Sequence, residues 1–191
     1  IRDDFDAKRM MVTVIFALIP PALFGVYNLG FQLLEAAGVE YTLIQAVLQG
    51  LLRFLPILIV TYVVGLGWEF LFAVIRRHEV SEGFLVSGFL IVLIVPPTIP
   101  LWQLAVATSF GVVIGKEIFG GTGMNIFNPA LVVRAFLFFA YPAQISGDRV
   151  WVALDGYTAA TPLAFAAEGA SIPIAEALVG QGVTWWNSFI G

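Results

Sequence analysis

The sequence predicts an all-α integral membrane protein built as a helical bundle with broken helices, and three observations carry that prediction. Hydrophobic residues make up 60% of the 191-residue chain and charged residues 12%, against about 45–50% and about 25% in soluble domains. Two runs, Met10–Leu34 with no charge and Phe54–Ile75 with one, are each long enough for a crossing, given about 1.5 Å of rise per residue and a hydrocarbon layer of roughly 30 Å. A third, Gly83–Gly115, is uncharged for 33 residues and is interrupted by Pro-Pro-Thr-Ile-Pro at 96–100.

The chain opens on Ile1–Arg9, which mixes acid with base and does not read as a signal peptide. With no initiating Met, a piece of a longer protein is the simplest expectation. Met10–Leu34 then forms the first crossing, with Pro20 and Pro21 predicting a kink. Glu35–Gln49 carries two acids and no Lys or Arg and reads as a loop. Phe54–Ile75 is the second crossing, ended by Arg76, Arg77 and His78. Two crossings return the chain to its starting side, so Lys8-Arg9 and the arginine pair share one face. The positive-inside rule places that face, and the N-terminus, in the cytoplasm.

Pro96–Pro100 divides the next stretch into halves of roughly 13 and 15 residues. These read either as discontinuous helices around a midplane site or as two strongly tilted short helices. Lys116-Glu117 brings the chain back to the cytoplasmic side, and a glycine-rich turn leads to a helix opened by Pro129 and running to about Ala140. Tyr141-Pro142 ends it, and the segment from Gln144 to Thr161 emerges on the outer side. Trp185-Trp186 reads as an interfacial anchor for a further membrane approach. The organisation expected is a cytoplasmic segment at 1–9, a transmembrane bundle at 10–143, an outer loop at 144–170, and the start of another membrane segment at 171–191.

Composition also narrows the chemistry. Seventeen Phe and five Trp suit helix interfaces and the lipid boundary, and a net charge of −4 argues against a nucleic-acid partner. The absence of Cys excludes disulfides, thiolate metal sites and a Cys-held iron–sulfur cluster in this chain. A lone His78 beside two arginines reads as an interfacial basic residue, because a metal site needs several convergent ligands.

Four places carry candidate chemistry. Glu69 lies inside an apolar segment, where a carboxylate costs about 2.5–3.5 kcal/mol on insertion scales and usually faces a cavity, a pathway or a partner. Gly65 and Gly67 leave room beside it for a ligand or a close helix neighbour; the plain alternative is a carboxylate reaching the interface near Arg76. Gly120-Gly121-Thr122-Gly123 with Asn125 and Asn128 brings backbone and carboxamides toward a flat heterocycle, or is simply a tight turn with an Asn cap. It lacks the Lys-Ser/Thr ending of a phosphate loop. Arg134 pairs with an acid or an anion, or snorkels to the boundary. The fourth is Asp155-Gly-Tyr-Thr-Ala-Ala-Thr161, which offers a threonine hydroxyl among small residues; alone it is also ordinary turn chemistry, with no local base to make Thr161 a nucleophile.

Taken together, Val-Tyr-Asn at 26–28, Gly-Trp-Glu at 67–69, Arg-Arg-His-Glu-Val at 76–80, Val-Pro-Pro-Thr-Ile-Pro-Leu-Trp-Gln, Lys-Glu-Ile-Phe-Gly-Gly-Thr-Gly, Asn-Pro-Ala and Ala-Gln-Ile-Ser-Gly-Asp resemble the B subunits of the Na+-translocating NADH:quinone oxidoreductases of bacterial inner membranes. The resemblance covers essentially the whole chain, about half the length of such subunits. It implies a urea-transporter-like fold of two inverted repeats, one of them present here. It implies FMN joined by a phosphoester to Thr161, within a motif that includes Thr158 and follows Asp155, and attached by a flavin transferase. It further implies a noncovalent riboflavin, placed at Asn125 and Asn128, and a quinone or cation route along Gly65–Glu69. Electrons would pass from NADH through other subunits to this one and on to ubiquinone, with Na+ exported.

Two departures stand out. Thr158-Ala159-Ala160-Thr161 replaces the usual Ser-Gly-Ala-Thr, and the alanine removes the positive-φ freedom of glycine, so a transferase needing that conformation would act slowly. Leu66 stands where a glycine is usual and would narrow the quinone region. The D subunit of Rnf-type ferredoxin:NAD oxidoreductases shares the implied fold and flavin threonine. A urea, ammonium or water channel is the alternative of a different class, suggested by the broken helices and Asn-Pro-Ala.

Overall fold

The computed structural model describes residues 7–77, 83–147 and 150, within the first of two compact units, Ile1–Ala153. Every regular element among these residues is helical. Helix α1 spans Ala7–Ala36 and α2 spans Leu43–Arg76. At 30 and 34 residues they run about 45 and 51 Å, and both are long and apolar enough to cross a membrane. Helix α1 continues through Pro20 and Pro21, and α2 through Pro56. Large side chains such as Phe16, Phe24, Leu52 and Val63 stand exposed on their outer faces, as lipid-facing positions require.

The second crossing begins eleven residues earlier than the sequence pattern suggests, at Leu43 and not Phe54. Arg53 is the misleading sign: it lies on the exposed side of a continuous helix, where its long stem can carry the charge outward. The true start is a capping box, in which the Thr42 hydroxyl accepts from the Gln45 amide at 3.4 Å and the Gln45 side chain accepts from the Thr42 amide at 2.8 Å. The acidic loop therefore shrinks to residues 37–42.

Antiparallel packing of α1 on α2 depends on a seam of small residues. A Cβ on Gly30 would sit 1.7 Å from the Ala46 carbonyl oxygen, and one on Gly50 would sit 1.8 Å from that of Val26. Only hydrogen fits there, so the two backbones touch, as small-residue seams permit in membranes.

Of three shorter helices, two pack along the C-terminal half of α2 and the third packs on those two. Helix α3, Gly83–Ile94, runs antiparallel to α2: Phe84 lies against Gly65, and the Tyr62 hydroxyl donates to the Leu85 carbonyl at 2.6 Å. The Pro96–Pro100 break follows where it is expected, and α4, Leu101–Val113, runs back toward the C-terminal end of α2. Helix α5, Pro129–Ala140, is antiparallel to α4, with Trp102 on Tyr141, Phe110 stacked on Phe136, and Gly111 under Val133. A short α6, Pro142–Ile145, ends this part. Ile57, Phe84, Ile91, Leu104, Val112, Val133 and Leu137 form the core shared by α2 to α5.

Candidate functional site

The sequence of α2 places Thr61, Gly65, Glu69 and Ala73 at successive four-residue steps, and all four are buried. This stripe faces the bundle, so Glu69 is carried inward and not out to the boundary; its exposure is 2%. The α-type bonds of α4 continue past Val113, with the Gly115 and Lys116 amides donating to Gly111 and Val112 at 3.1 and 3.2 Å. That extension delivers Lys116 to the same place. Its ammonium donates to Glu69 Oε1 and lies 3.9 Å from Glu117 Oε1. Glu117 Oε2 stands 3.4 Å from Arg76 Nη1, and the Arg76 guanidinium also donates to the Glu117 carbonyl.

Among the described residues, Glu69, Lys116, Glu117 and Arg76 thus form one chain of two carboxylates and two cations whose formal charges cancel. Lys116 and Glu117 are each 2% exposed, while Arg76 is the member nearest solvent. Burying one of these charges alone would cost several kcal/mol; together they answer that cost, with Arg76 also lying 5.2 Å from the Phe72 ring. In the sequence pattern, Lys116-Glu117 reads only as a topology marker, and Arg76 as one that also lies near Glu69 at the interface. The usable signal is three charges bordering long apolar runs around an internal Glu69, since buried charges need partners.

The glycine turn folds over this cluster. Gly120, Gly121 and Gly123 all take positive φ, where L side chains are strained. The Gly120 amide donates to Glu117 at 3.0 Å and the Gly121 amide to Lys116 at 3.2 Å. Further on, Asn125 Oδ1 accepts from the Gly123 amide at 3.2 Å and its Nδ2 donates to the Phe127 carbonyl at 2.8 Å. Asn128 caps α5 by accepting from the Ala130 amide at 2.9 Å. Both carboxamides also line an open cleft of about 370 Å³ between this turn, Met10, Met11 and Val14 of α1, and Gly83, Val86 and Ser87 of α3. The volume suits a small ligand.

Of the space beside Glu69, Gly65 is filled by the Phe84 ring, a close helix neighbour, whereas nothing among the described residues lies within 4 Å of a Cβ built on Gly67. Arg134 donates to the Ile94 carbonyl at the C-terminal end of α3, so it serves the chain break. Among the described residues, Thr61, Gln103 and Thr108 hold buried polar atoms with no hydrogen-bond partner. His78, Asp155, Thr158 and Thr161 lie outside the described residues.

Comparison with known proteins agrees in direction. The chain is 50% identical to the B subunit of the Na(+)-translocating NADH-quinone reductase of Stutzerimonas stutzeri (strain A1501), with all of this chain and 52% of that protein aligned. The protein of the same name from Ectopseudomonas mendocina (strain ymp) is 49% identical over the same shares. That of Neisseria meningitidis serogroup A is 48% identical, with all of this chain and 53% of that protein covered. The chain therefore spans about half the length of these relatives. The NQR2, RnfD, RnfE family matches residues 1–191, and the chain belongs to that family.

Proposed function

We propose that the chain forms part of the B subunit of a Na+-translocating NADH:ubiquinone reductase, a multi-pass protein of a bacterial inner membrane with its N-terminus in the cytoplasm. The observation that carries this reading is identity of about half of all positions, along the whole chain, to three proteins of that name. In this reading the helices belong to one of two inverted repeats of a urea-transporter-like bundle. The other reductase subunits are its partners, along with ubiquinone, membrane lipid and the flavin transferase that matures it. The family description also covers RnfD; the named relatives favour the quinone reductase.

Thr161 is the proposed phosphoester anchor for FMN, with Asp155 and Thr158 in the recognition motif. Asn125 and Asn128 are proposed to hold riboflavin. The cleft they line supports this, and a heterocycle there would meet chiefly the Asn128 amide nitrogen, since the oxygen serves the cap. Flavins supply one- and two-electron transfer; the chain's part is to bind, orient and shelter them. The Gly65–Glu69 segment is the proposed quinone or cation route, with the open face of Gly67 and the buried Glu69 as its features.

Denaturing electrophoresis and intact mass of the full-length protein from its native host test the reading. A fluorescent band with the mass of an added FMN residue, absent in Thr161→Ala, is expected. A non-fluorescent chain of unshifted mass would overturn the flavin assignment and favour a passive channel. Unchanged quinone reduction and Na+ dependence in Glu69→Ala would remove the proposed route.

A further inference from the structure

We propose that Lys116 is a built-in cation that competes with Na+ for the Glu69 carboxylate and moves to Glu117 when Na+ takes its place. This rests on the reading of Glu69 as part of the cation route.

The ammonium contacts Glu69 directly and has Glu117 Oε1 at 3.9 Å. Glu69, Lys116 and Glu117 are nearly inaccessible to solvent, so water is a poor substitute for either partner. Within Glu69, Lys116, Glu117 and Arg76 the charge already sums to zero. A Na+ bound at Glu69 adds one positive charge wherever the ammonium sits, and the shift leaves Glu69 to Na+ while Lys116 and Arg76 share the two oxygens of Glu117. Lysine is suited to yield: it is a compact charge with three donors on a flexible four-carbon stem. A shift of about 1 Å turns the 3.9 Å separation into a charge-assisted hydrogen bond of about 2.8 Å.

The backbone of the receiving site stays fixed during such a shift. The glycine turn ties the carbonyls of Lys116 and Glu117, and Arg76 anchors Glu117 from the other side. Only the lysine side chain needs to travel. On this account Lys116 holds the route neutral when Na+ is absent and sets the Na+ concentration at which it is displaced.

The test measures Na+ dependence of NADH:quinone reductase activity, and 22Na+ uptake, in proteoliposomes of the assembled complex with the full-length chain. In Lys116→Gln the unpaired Glu69 should hold Na+ more tightly, lowering half-saturating Na+ by about tenfold or more and slowing turnover. In Glu117→Gln the lysine keeps an acceptor oxygen but loses the negative charge of its second site, and half-saturation should rise by about the same factor. Lys116→Arg keeps the charge but grips Glu69 with a planar fork, and should also raise it. That variant separates a moving ammonium from a mere field, which would leave half-saturation at the wild-type value.

Half-saturation unchanged in Lys116→Arg and Glu117→Gln overturns the proposal. These two keep a cation beside Glu69, so they decide the matter if Lys116→Gln fails to assemble. A wild-type complex that reduces quinone without any response to Na+ would overturn the functional reading, and this inference with it. A Na+-responsive wild type with unresponsive variants would overturn the inference alone.

Discussion

Lys116 reaches Glu69 across 47 positions of sequence, and this contact fastens the end of α4 to α2 in the bundle interior. Because both groups are buried, removing one partner should cost far more than removing both. Glu69→Leu alone is expected to destabilise the detergent-solubilised protein by about 3–5 kcal/mol, while Glu69→Leu with Lys116→Leu should recover most of the loss. Thermal unfolding of the two single variants and the double variant checks this as a mutant cycle.

The α1–α2 seam makes a steric prediction. Gly30→Ala places a methyl group inside the Ala46 carbonyl, and Gly50→Ala does the same at Val26. Each should destabilise by at least about 1–3 kcal/mol, the usual cost of overpacking. Gly25→Ala, with nothing within 4 Å of the added carbon, should leave the melting temperature in place or raise it slightly through helix propensity.

The hydroxyls of α2 and α4 divide into two kinds. Ser109 donates to the Ala105 carbonyl at 2.8 Å, one turn back, whereas Thr61 and Thr108 are fully buried with no hydrogen-bond partner among the described residues. Replacing an unsatisfied hydroxyl by a methyl group of the same shape removes a penalty of about 1–3 kcal/mol. Thr61→Val and Thr108→Val should therefore raise thermal stability. A drop in either would show that the hydroxyl has a partner in the membrane-embedded protein.

Arg134 supports the break after α3 through the Ile94 carbonyl. A hydrogen bond from a charged donor contributes about 1.5–3 kcal/mol, so Arg134→Leu should lower stability by roughly that amount. Lysine keeps a donor and should recover part of it. Hydrogen exchange around residues 94–100 would show whether the loss is local to the break.

Thr42→Ala should remove about 1 kcal/mol by deleting the capping box at the start of α2. Proteolytic access to the 37–42 loop, or exchange of the amides of Leu43–Ala46, would report the fraying. Gln45→Ala, which removes the reciprocal half of the box, should produce a smaller effect in the same place.

Much of this architecture is legible in residue order because membranes impose simple lengths. The first crossing, the Pro96–Pro100 division and the Asn128-Pro129 start of α5 all follow from uninterrupted apolar runs and from proline's missing N–H. The start of α2 is misplaced when the charge of Arg53 is given more weight than a cap, although the Thr-x-x-Gln signature is present. Glu69 can be singled out because a carboxylate in an apolar run is conspicuous. Its partner cannot, since no local period links positions on helices that meet only after the chain has turned back. Lys116 and Glu117 look like boundary charges for the same reason. The packing of Phe84 into Gly65 is equally hidden: a glycine announces space without naming what fills it.

The separation of Glu69 from Lys116 also sets an order of events during synthesis. The 47 residues from Glu69 to Lys116, counting the lysine, take on the order of 2–9 s to translate at about 5–20 residues per second. For that interval α2 enters the membrane with a carboxylate lacking its ammonium, at an insertion cost of about 2.5–3.5 kcal/mol. Glu69 is therefore the part of the first hairpin whose partner is made last.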